Sequence, residues 1–114
     1  MRNSQTGKAG EDLAKRYLEK RGYVIIDTNV RFSKACEIDI IAKEKDCIVF
    51  VEVKTRSTNF CGSPLEAITP AKLNNIKHGV FSYLKENNYK KFRIDAIGIT
   101  LKPQLDIQHL KNIG

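Results

Sequence analysis

The chain offers little for sulfur or imidazole chemistry. Its three cysteines, Cys36, Cys47 and Cys61, are odd in number and show no CxxC spacing, and its two histidines, His78 and His109, lie far apart. That scarcity argues against a disulfide framework or a structural zinc and leaves reduced, buried or half-buried thiols as the expectation. No apolar run approaches the roughly 20 residues that span a bilayer. The opening segment MRNSQTGKAGEDLAKR is too polar for a secretory signal, so a cytoplasmic location is expected. Repeats, low-complexity tracts and linkers are also missing. At 114 residues, 41% hydrophobic and 29% charged, the sequence reads as one soluble globular domain with a core of its own.

Charge is what the chain has in excess. A net charge of +7 and a pI near 9.4 suggest a polyanionic partner, most often nucleic acid. The acids sit within apolar runs while the lysines crowd the periphery, which strengthens that reading.

The informative stretch is Glu37–Lys54, EIDIIAKEKDCIVFVEVK. Two apolar runs flank the short polar turn Glu44-Lys45-Asp46 and read as the strands of a hairpin. Ile38, Ile40 and Ile41 in the first run, and Ile48, Val49, Phe50, Val51 and Val53 in the second, predict central, buried strands. Yet Glu37, Asp39, Glu52 and Lys54 are set into them, and desolvating an unpaired carboxylate is expensive. Alternation puts Glu37, Asp39 and Ile41 on one face, and Ile48, Phe50, Glu52 and Lys54 on one face of the next strand. An even-length loop sets Ile41 opposite Phe50, Asp39 opposite Glu52 and Glu37 opposite Lys54; an odd loop sends the acids to opposite faces. Opposed side chains have Cβ atoms about 4.5–5.5 Å apart, so two carboxylates there call for a divalent cation or a shared proton. Oxygen ligands without a nearby His or Cys favour Mg²⁺ or Mn²⁺ over Zn²⁺. Lys54 beside them suits orienting or deprotonating a water, or holding developing negative charge.

Around this hairpin, Gly7–Arg21 reads as a helix. Gly10, Leu13, Ala14, Tyr17 and Leu18 form its stripe, and Gly22 its stop. By position alone, Glu11 answers the helix dipole. Tyr23–Ile26 reads as a short strand and Asp27–Ala35 as a polar link, whose Arg31, Phe32 and Lys34 suit either phosphate or plain solvation. Thr55–Ser63 reads as a polar loop. Thr55 and Arg56 at its start offer a hydroxyl and a guanidinium to phosphate, with a solvated strand end as the alternative. Ser63–Ala67 suggests a helical turn. Thr69-Pro70 is a good helix start, and Leu73, Ile76, Val80, Tyr83 and Leu84 carry the stripe to Glu86, with Lys72 and Lys77 near its beginning. Phe92–Ile99 is the closing strand, its Asp95 paired structurally with Arg93 or a neighbouring base, and Leu105–Leu110 suggests an edge strand. The order αβββαβ, with an extra strand, predicts an α/β fold: a central mixed sheet flanked by helices.

Asp39 followed by Glu52-Val53-Lys54 on the next strand matches the core of the PD-(D/E)xK nuclease superfamily. The surrounding runs are more specific: Gly10-Glu11-Asp12-Leu13-Ala14, Tyr17-Leu18, Gly22-Tyr23, Asn29-Val30-Arg31, Glu37-Ile38-Asp39-Ile40-Ile41-Ala42, Val49 through Arg56, and Ile68-Thr69-Pro70-Ala71-Lys72. Together, and in order to Arg93-Ile94-Asp95, they resemble the YraN-like family of small bacterial proteins. The resemblance implies a restriction-endonuclease-like fold similar to that of Holliday-junction resolvases. It implies Mg²⁺ (or Mn²⁺) held by Asp39, Glu52 and the backbone carbonyl of Val53, with Glu11 completing the shell and Lys54 assisting the attacking water. Glu11 thereby moves from a dipole role to a functional one. The implied reaction is metal-dependent phosphodiester hydrolysis on DNA, branched or otherwise structured, by a homodimer that cuts two strands. Arg31, Lys34, Thr55, Arg56 and Lys72 are the candidate nucleic-acid contacts. The chain departs from the family at Cys36, where Gly is usual, and at Ile94, where the closing strand usually carries Phe. If that Gly needs a positive φ, the loop must differ here. A second class of function fits the same residues: a non-catalytic nucleic-acid-binding or adaptor domain, with Glu52–Lys54 or Glu37–Lys54 as buried ion pairs. A scaffold without a nucleic-acid partner leaves the +7 charge unexplained.

Overall fold

A computed structural model describes residues 4–34, 36–58, 60 and 62–114, with side chains from residue 7 onward. Cys61, one of the expected reduced thiols, lies outside the described residues. In chain order the elements are α1 (Ser4–Lys20), β1 (Val24–Ser33), β2 (Cys36–Glu44), β3 (Cys47–Arg56), a 3₁₀ turn (Pro64–Ala67), α2 (Pro70–Glu86), β4 (Lys91–Thr100) and β5 (Asp106–Leu110). The strands form one sheet in the spatial order β1-β2-β3-β4-β5. Every pairing is antiparallel except β3–β4, which is parallel. A parallel pair needs a long crossover, and α2 is that crossover. The expected element order and mixed sheet are therefore present.

Local chemistry places both helices. Gly22 follows α1 with φ +89°, a left-handed conformation that costs glycine little. Thr69 caps α2 by accepting from the Lys72 amide at 3.2 Å, and Pro70 takes the first position, where no amide is needed. Asn87 ends it. Alternation along β2 and β3 feeds two cores. On the α1 side Ile40, Ala42, Val49, Val51 and Val53 meet Ala14 and Leu18. On the α2 side Ile41, Ile48 and Phe50 meet Ile76 and Val80. Both faces of the hairpin are thus covered, as its near-continuous apolar runs predict.

Two segments read as polar links or loops are strand instead, beyond shifts of one to three residues at the ends of α1 and β4. The segment after Ile26 is not a polar link: β1 continues to Ser33. It is an edge strand paired only with β2, with Thr28, Val30 and Phe32 turned partly inward and Asp27, Asn29 and Arg31 outward. One-sided burial tolerates that polarity, and two register irregularities interrupt the ladder. Likewise Thr55 and Arg56 are strand rather than loop, because β4 runs beside them to the Arg56–Thr100 rung. Among the described residues no helix is long and apolar enough to cross a membrane.

A polar network sits within the α1-side layer. Asp95 is fully buried and accepts from Arg93 Nε at 3.0 Å and the Asn112 amide at 3.0 Å, and its Oδ2 lies 2.8 Å from His109 Nε2. Arg93 in turn reaches Glu44 at 2.9 Å and the Tyr23 hydroxyl at 2.5 Å. Burial alone would raise the Asp95 pKa, but the bonds from His109, Arg93 and Asn112 outweigh it and hold the carboxyl below its ordinary value. The expected structural pairing of Asp95 with Arg93 is present, and His109 joins it.

Candidate active site

The hairpin closes with the even register. Ile41 faces Phe50 and Ile40 faces Val51, across a turn in which Lys45 has φ +56°. The paired rungs end at Ile40–Val51. One residue further Asp39 turns its carboxylate onto β3, and Oδ2 accepts the Val53 amide at 2.8 Å. A side chain thus supplies the acceptor where the ladder stops. It also brings Asp39 against Glu52. Burial first, then the charge of Glu52 and a hydrogen bond shared with it, push the Asp39 pKa up to about 8; the Val53 amide and Lys54 act in the opposite direction.

Lys54 Nζ lies 3.7 Å from Glu52 Oε1, two residues along the same face of β3. The first turn of α2 closes the other wall. Together they bound a cleft of about 220 Å³ lined by Cys36, Glu37, Asp39, Glu52, Lys54, Lys72, Asn75 and Ile76. Lys72 meets Lys54 across it: the charge of the nearby Lys54 amine first, and desolvation with it, lower the Lys72 pKa, against an opposing contribution from Glu52. A roomier hollow of about 500 Å³ is bounded by Gly62, Pro103, Gln104 and Gln108, with Asp106 as the one ionisable residue among the described ones that line it. The smaller cleft gathers the ionisable side chains Cys36, Glu37, Asp39, Glu52, Lys54 and Lys72.

The donor set can be weighed for a metal. Among the described residues no three or more His, Cys, Asp or Glu side chains gather as a ready-made cation cage. Asp39 and Glu52 bring two carboxyl groups together, with oxygen donors and a mutual repulsion that a divalent cation would relieve. Mg²⁺ and Mn²⁺ suit such a site, since Mg²⁺ binds through one or two carboxylates and keeps several waters. Zinc suits it less, since its sites draw on three or four side chains that usually include His or Cys; Cys36 does line the cleft, against the expectation of no cysteine nearby, but burial raises its thiol pKa.

The other candidates are distributed unevenly. Glu11 lies on α1, its Oε1 accepting from Asn29 at 3.0 Å, and it does not line the cleft. It is close to the end of β3 nonetheless, because a Cβ at neighbouring Gly10 would overlap the Thr55 side chain. Thr55 itself faces α1, away from the cleft. Glu37 does line the cleft, but its ion partner is Arg31 at 3.2 Å, not Lys54 as the extrapolated register suggests. The ladder ends before the Glu37 rung, and Arg31 stands beside Glu37 on β1. Arg31 also donates to the carbonyls of Ser33 and Lys34 at 3.4 Å, and Lys34 is exposed. Both lie at the β1–β2 turn. Lys72 reaches the cleft; Asn75, one helical turn on, was missed, although its i+3 spacing from Lys72 was a usable signal. Cys36 is buried against α2 and is not among the positive-φ residues Asn29, Lys45 and Asn112, so a side chain here needs no unusual backbone. Burial raises its thiol pKa.

A five-stranded mixed sheet with a helix on either face and the acidic hairpin at its centre defines an α/β protein of restriction-endonuclease-like architecture. Within that class the chain belongs to the UPF0102 (YraN) family: the model described as "Uncharacterised protein family UPF0102" matches residues 10–99. The match takes in every cleft residue and stops short of β5. The chain is 44% identical over 114 residues to a UPF0102 protein of Sulfurihydrogenibium, covering 98% of this chain and 96% of that one. It is 38% identical over 113 residues to one from Syntrophomonas wolfei (96% and 97% covered). It is 39% identical over 112 residues to one from Flavobacterium psychrophilum (96% and 93% covered).

Proposed function

We propose that the protein is a metal-dependent endonuclease hydrolysing DNA phosphodiester bonds, with Asp39 and Glu52 as the Mg²⁺ or Mn²⁺ ligands. The observation that carries this reading is the Asp39–Glu52 contact, two carboxylates packed together with a lysine beside them. Three acids, Glu37, Asp39 and Glu52, face two lysines, Lys54 and Lys72, in the cleft. A divalent cation makes that balance positive by one, which matches the single charge of a phosphodiester. Bound there, the ion would supply Lewis acidity and a water of lowered pKa. Lys54, held by Glu52 as an ammonium, would orient that water or steady the negative charge developing on the phosphate, and Lys72 would hold a phosphate oxygen. The Val53 carbonyl and Glu11 are the further ligands proposed from the family likeness, and Glu11, which accepts from Asn29 outside the cleft lining, would have to turn toward the cleft to serve. Arg31, Lys34 and Arg56 extend the basic surface over which a DNA strand, branched or otherwise structured, would lie. A homodimer would pair two such sites.

A specific observation favours a second reading. The Lys54–Glu52 ion pair and the Asp39–Val53 bond satisfy these groups internally, as a non-catalytic DNA-binding or adaptor domain would require. Calorimetric titration of Mg²⁺ and Mn²⁺ into the wild type and into the Asp39→Ala/Glu52→Ala double variant, followed by incubation of both with branched DNA, separates the two. Binding and Mn²⁺-dependent cleavage that vanish together in the double variant are expected. Salt-dependent DNA binding with neither metal uptake nor cleavage gives the adaptor reading instead.

A further inference from the structure

The positive charge of this chain is not at its cleft. Glu37, Asp39 and Glu52 outnumber Lys54 and Lys72 there, so the net +7 lies elsewhere. Strand pairing shows where much of it gathers. The β2–β3 turn is the end of the hairpin remote from the cleft, roughly 23 Å from Lys54 along β3. Five exposed lysines, Lys43, Lys45, Lys90, Lys91 and Lys111, surround it. Lys43 flanks the turn on β2, Lys45 sits at its tip, and the Cys47–Lys91 rung brings the start of β4 beside it. The acids of the turn are both taken: Glu44 meets Arg93 at 2.9 Å and Asp46 meets Lys91 at 3.1 Å. Lys91 first, and Lys43 after it, hold the Asp46 carboxyl below its ordinary value. Arg93 first, and Lys111 after it, do the same for Glu44.

Helix α2 joins the two ends. It spans about 25 Å, from Lys72 and Asn75 in the cleft wall to the turn end, where the chain passes into Lys90 and Lys91. Its outward stripe, Asn74, Asn75, His78, Ser82 and Lys85, is exposed and follows helical spacing. The helix holds no acid before Glu86, its last residue. Phe81, on the flank of the stripe, leans on Phe92 with ring centroids 6.3 Å apart. A helix face that only meets water commonly interleaves both signs. That of α1 does so with Asp12, Lys15, Arg16 and Glu19, and Lys15 lies 3.2 Å from Asp12. An acid-free stripe that starts in the cleft and ends among lysines fits a polyanion instead.

We infer that this stripe and the lysine-ringed turn form one track, which holds the phosphates of a double-stranded DNA arm leading away from the cleft. Length and side-chain type select the ligand. The span of about 25 Å matches about 7 base pairs of duplex axis, and a duplex is stiff over that length. Asn, His, Ser and Lys side chains contact phosphate oxygens without reading sequence, whereas a single strand calls for aromatic platforms along the stripe. The inference rests on the nuclease reading, in which the cleft holds DNA. It adds a requirement on the substrate: a duplex arm of about 7 base pairs beside the cut.

Binding tests the track without turnover. Fluorescence anisotropy of the full chain in Ca²⁺ is measured on two labelled forks that share one junction and carry closed duplex arms of about 5 or about 14 base pairs. The wild type should favour the long arm by about 10-fold or more. Lys43→Gln/Lys45→Gln/Lys90→Gln should remove that preference and lower the slope of log affinity against log salt by about three. Lys15→Gln/Arg16→Gln/Lys102→Gln removes the same charge elsewhere and should keep the preference. Ser82→Glu, which sets an acid into the stripe, should weaken the long arm by about 5-fold or more. A control variant that loses as much as the turn variant overturns the track, since net charge alone would then be at work. Equal wild-type affinity for both forks overturns it too. So does a turn variant that loses only its binding to phosphatidylglycerol vesicles, which assigns the lysines to a lipid surface. A turn-dependent arm preference without Mn²⁺-dependent cleavage of either fork keeps the track and sinks the nuclease. Cleavage of both forks with no such preference does the reverse.

Discussion

Asp39 accepts the Val53 amide at 2.8 Å where the β2–β3 ladder ends, and so a structural hydrogen bond also sets the position of the acid in the cleft. The bond needs an acceptor on residue 39, not a charge. Asp39→Asn keeps the acceptor and removes the repulsion with Glu52, so the metal-free variant should be at least as stable as wild type at pH 8. Asp39→Ala leaves a buried amide unmade and should lose about 1–3 kcal/mol. Both should abolish Mg²⁺ binding. Urea unfolding with parallel calorimetry checks the pair; equal stability of the Asn and Ala variants would show that the amide bond contributes nothing.

The same acid makes metal-free stability depend on pH in a defined direction. Its folded pKa, about 8, stands above the ordinary 3.8. The protonated form is therefore the one that favours folding. That contribution is complete below about pH 3.8 and is lost as pH rises through about 8. Metal binding requires the proton to leave, so Mg²⁺ affinity should climb over the same range. Melting curves from pH 5 to pH 9 in EDTA, repeated with Mg²⁺, should diverge with rising pH; wild-type and Asp39→Asn curves of the same slope in EDTA would show that Asp39 does not titrate there.

Lys54 and Lys72 share the cleft but differ in partner. Lys54 is paired with Glu52, whereas the chief influence on Lys72 is the charge of Lys54. Lys54→Met should lower hydrolysis by about 10²- to 10⁴-fold while leaving Mg²⁺ binding in place. It should also let the Lys72 pKa rise, a change visible by NMR of the lysine side chains. Lys72→Met should weaken DNA binding evenly across sequences and flatten its salt dependence by about one in slope. A Lys72 resonance indifferent to Lys54→Met would mean that the two amines do not meet in solution.

The hairpin was legible because two strands buried on both faces leave a strong apolar signal, against which Asp39 and Glu52 stand out. α2 was legible for a local reason: Thr69 and Pro70 act on their own backbone. β1 was not, because an edge strand with one buried face carries half the apolar signal and Asp27, Asn29 and Arg31 resemble a loop. The Asp39–Glu52 contact was legible only on the even register, which the sequence left open; the Glu44–Cys47 rung, with Lys45 and Asp46 as the turn, makes it even. The Arg31–Glu37 pair did not, because it depends on β1 lying beside β2. The position of Glu11 depends on how closely α1 approaches Thr55. Gly10 permits that approach, but spacing along the chain does not reveal it.

The Asp95 network offers a test on the opposite face of the sheet. Arg93 is held by Asp95, Glu44 and Tyr23, and Asp95 is the fully buried member of that set. Asp95→Ala leaves a largely buried guanidinium short of its inner partner and should lose about 3–5 kcal/mol. Asp95→Asn keeps an acceptor for the Asn112 amide and should lose less. The sign of the pH effect is opposite to that of Asp39. Because the Asp95 pKa is held below its ordinary value, its contribution is present above the usual carboxylate range and is lost as pH falls through the folded value. Urea unfolding at pH 7 and near pH 3 should therefore show the difference between wild type and Asp95→Asn shrinking in acid. Mg²⁺ binding by Asp95→Asn at pH 8 should equal that of wild type, since the sheet separates Asp95 from the cleft. A loss below about 1 kcal/mol in Asp95→Ala would mean that Glu44 and Tyr23 alone satisfy Arg93, leaving Asp95 chiefly as the partner of His109.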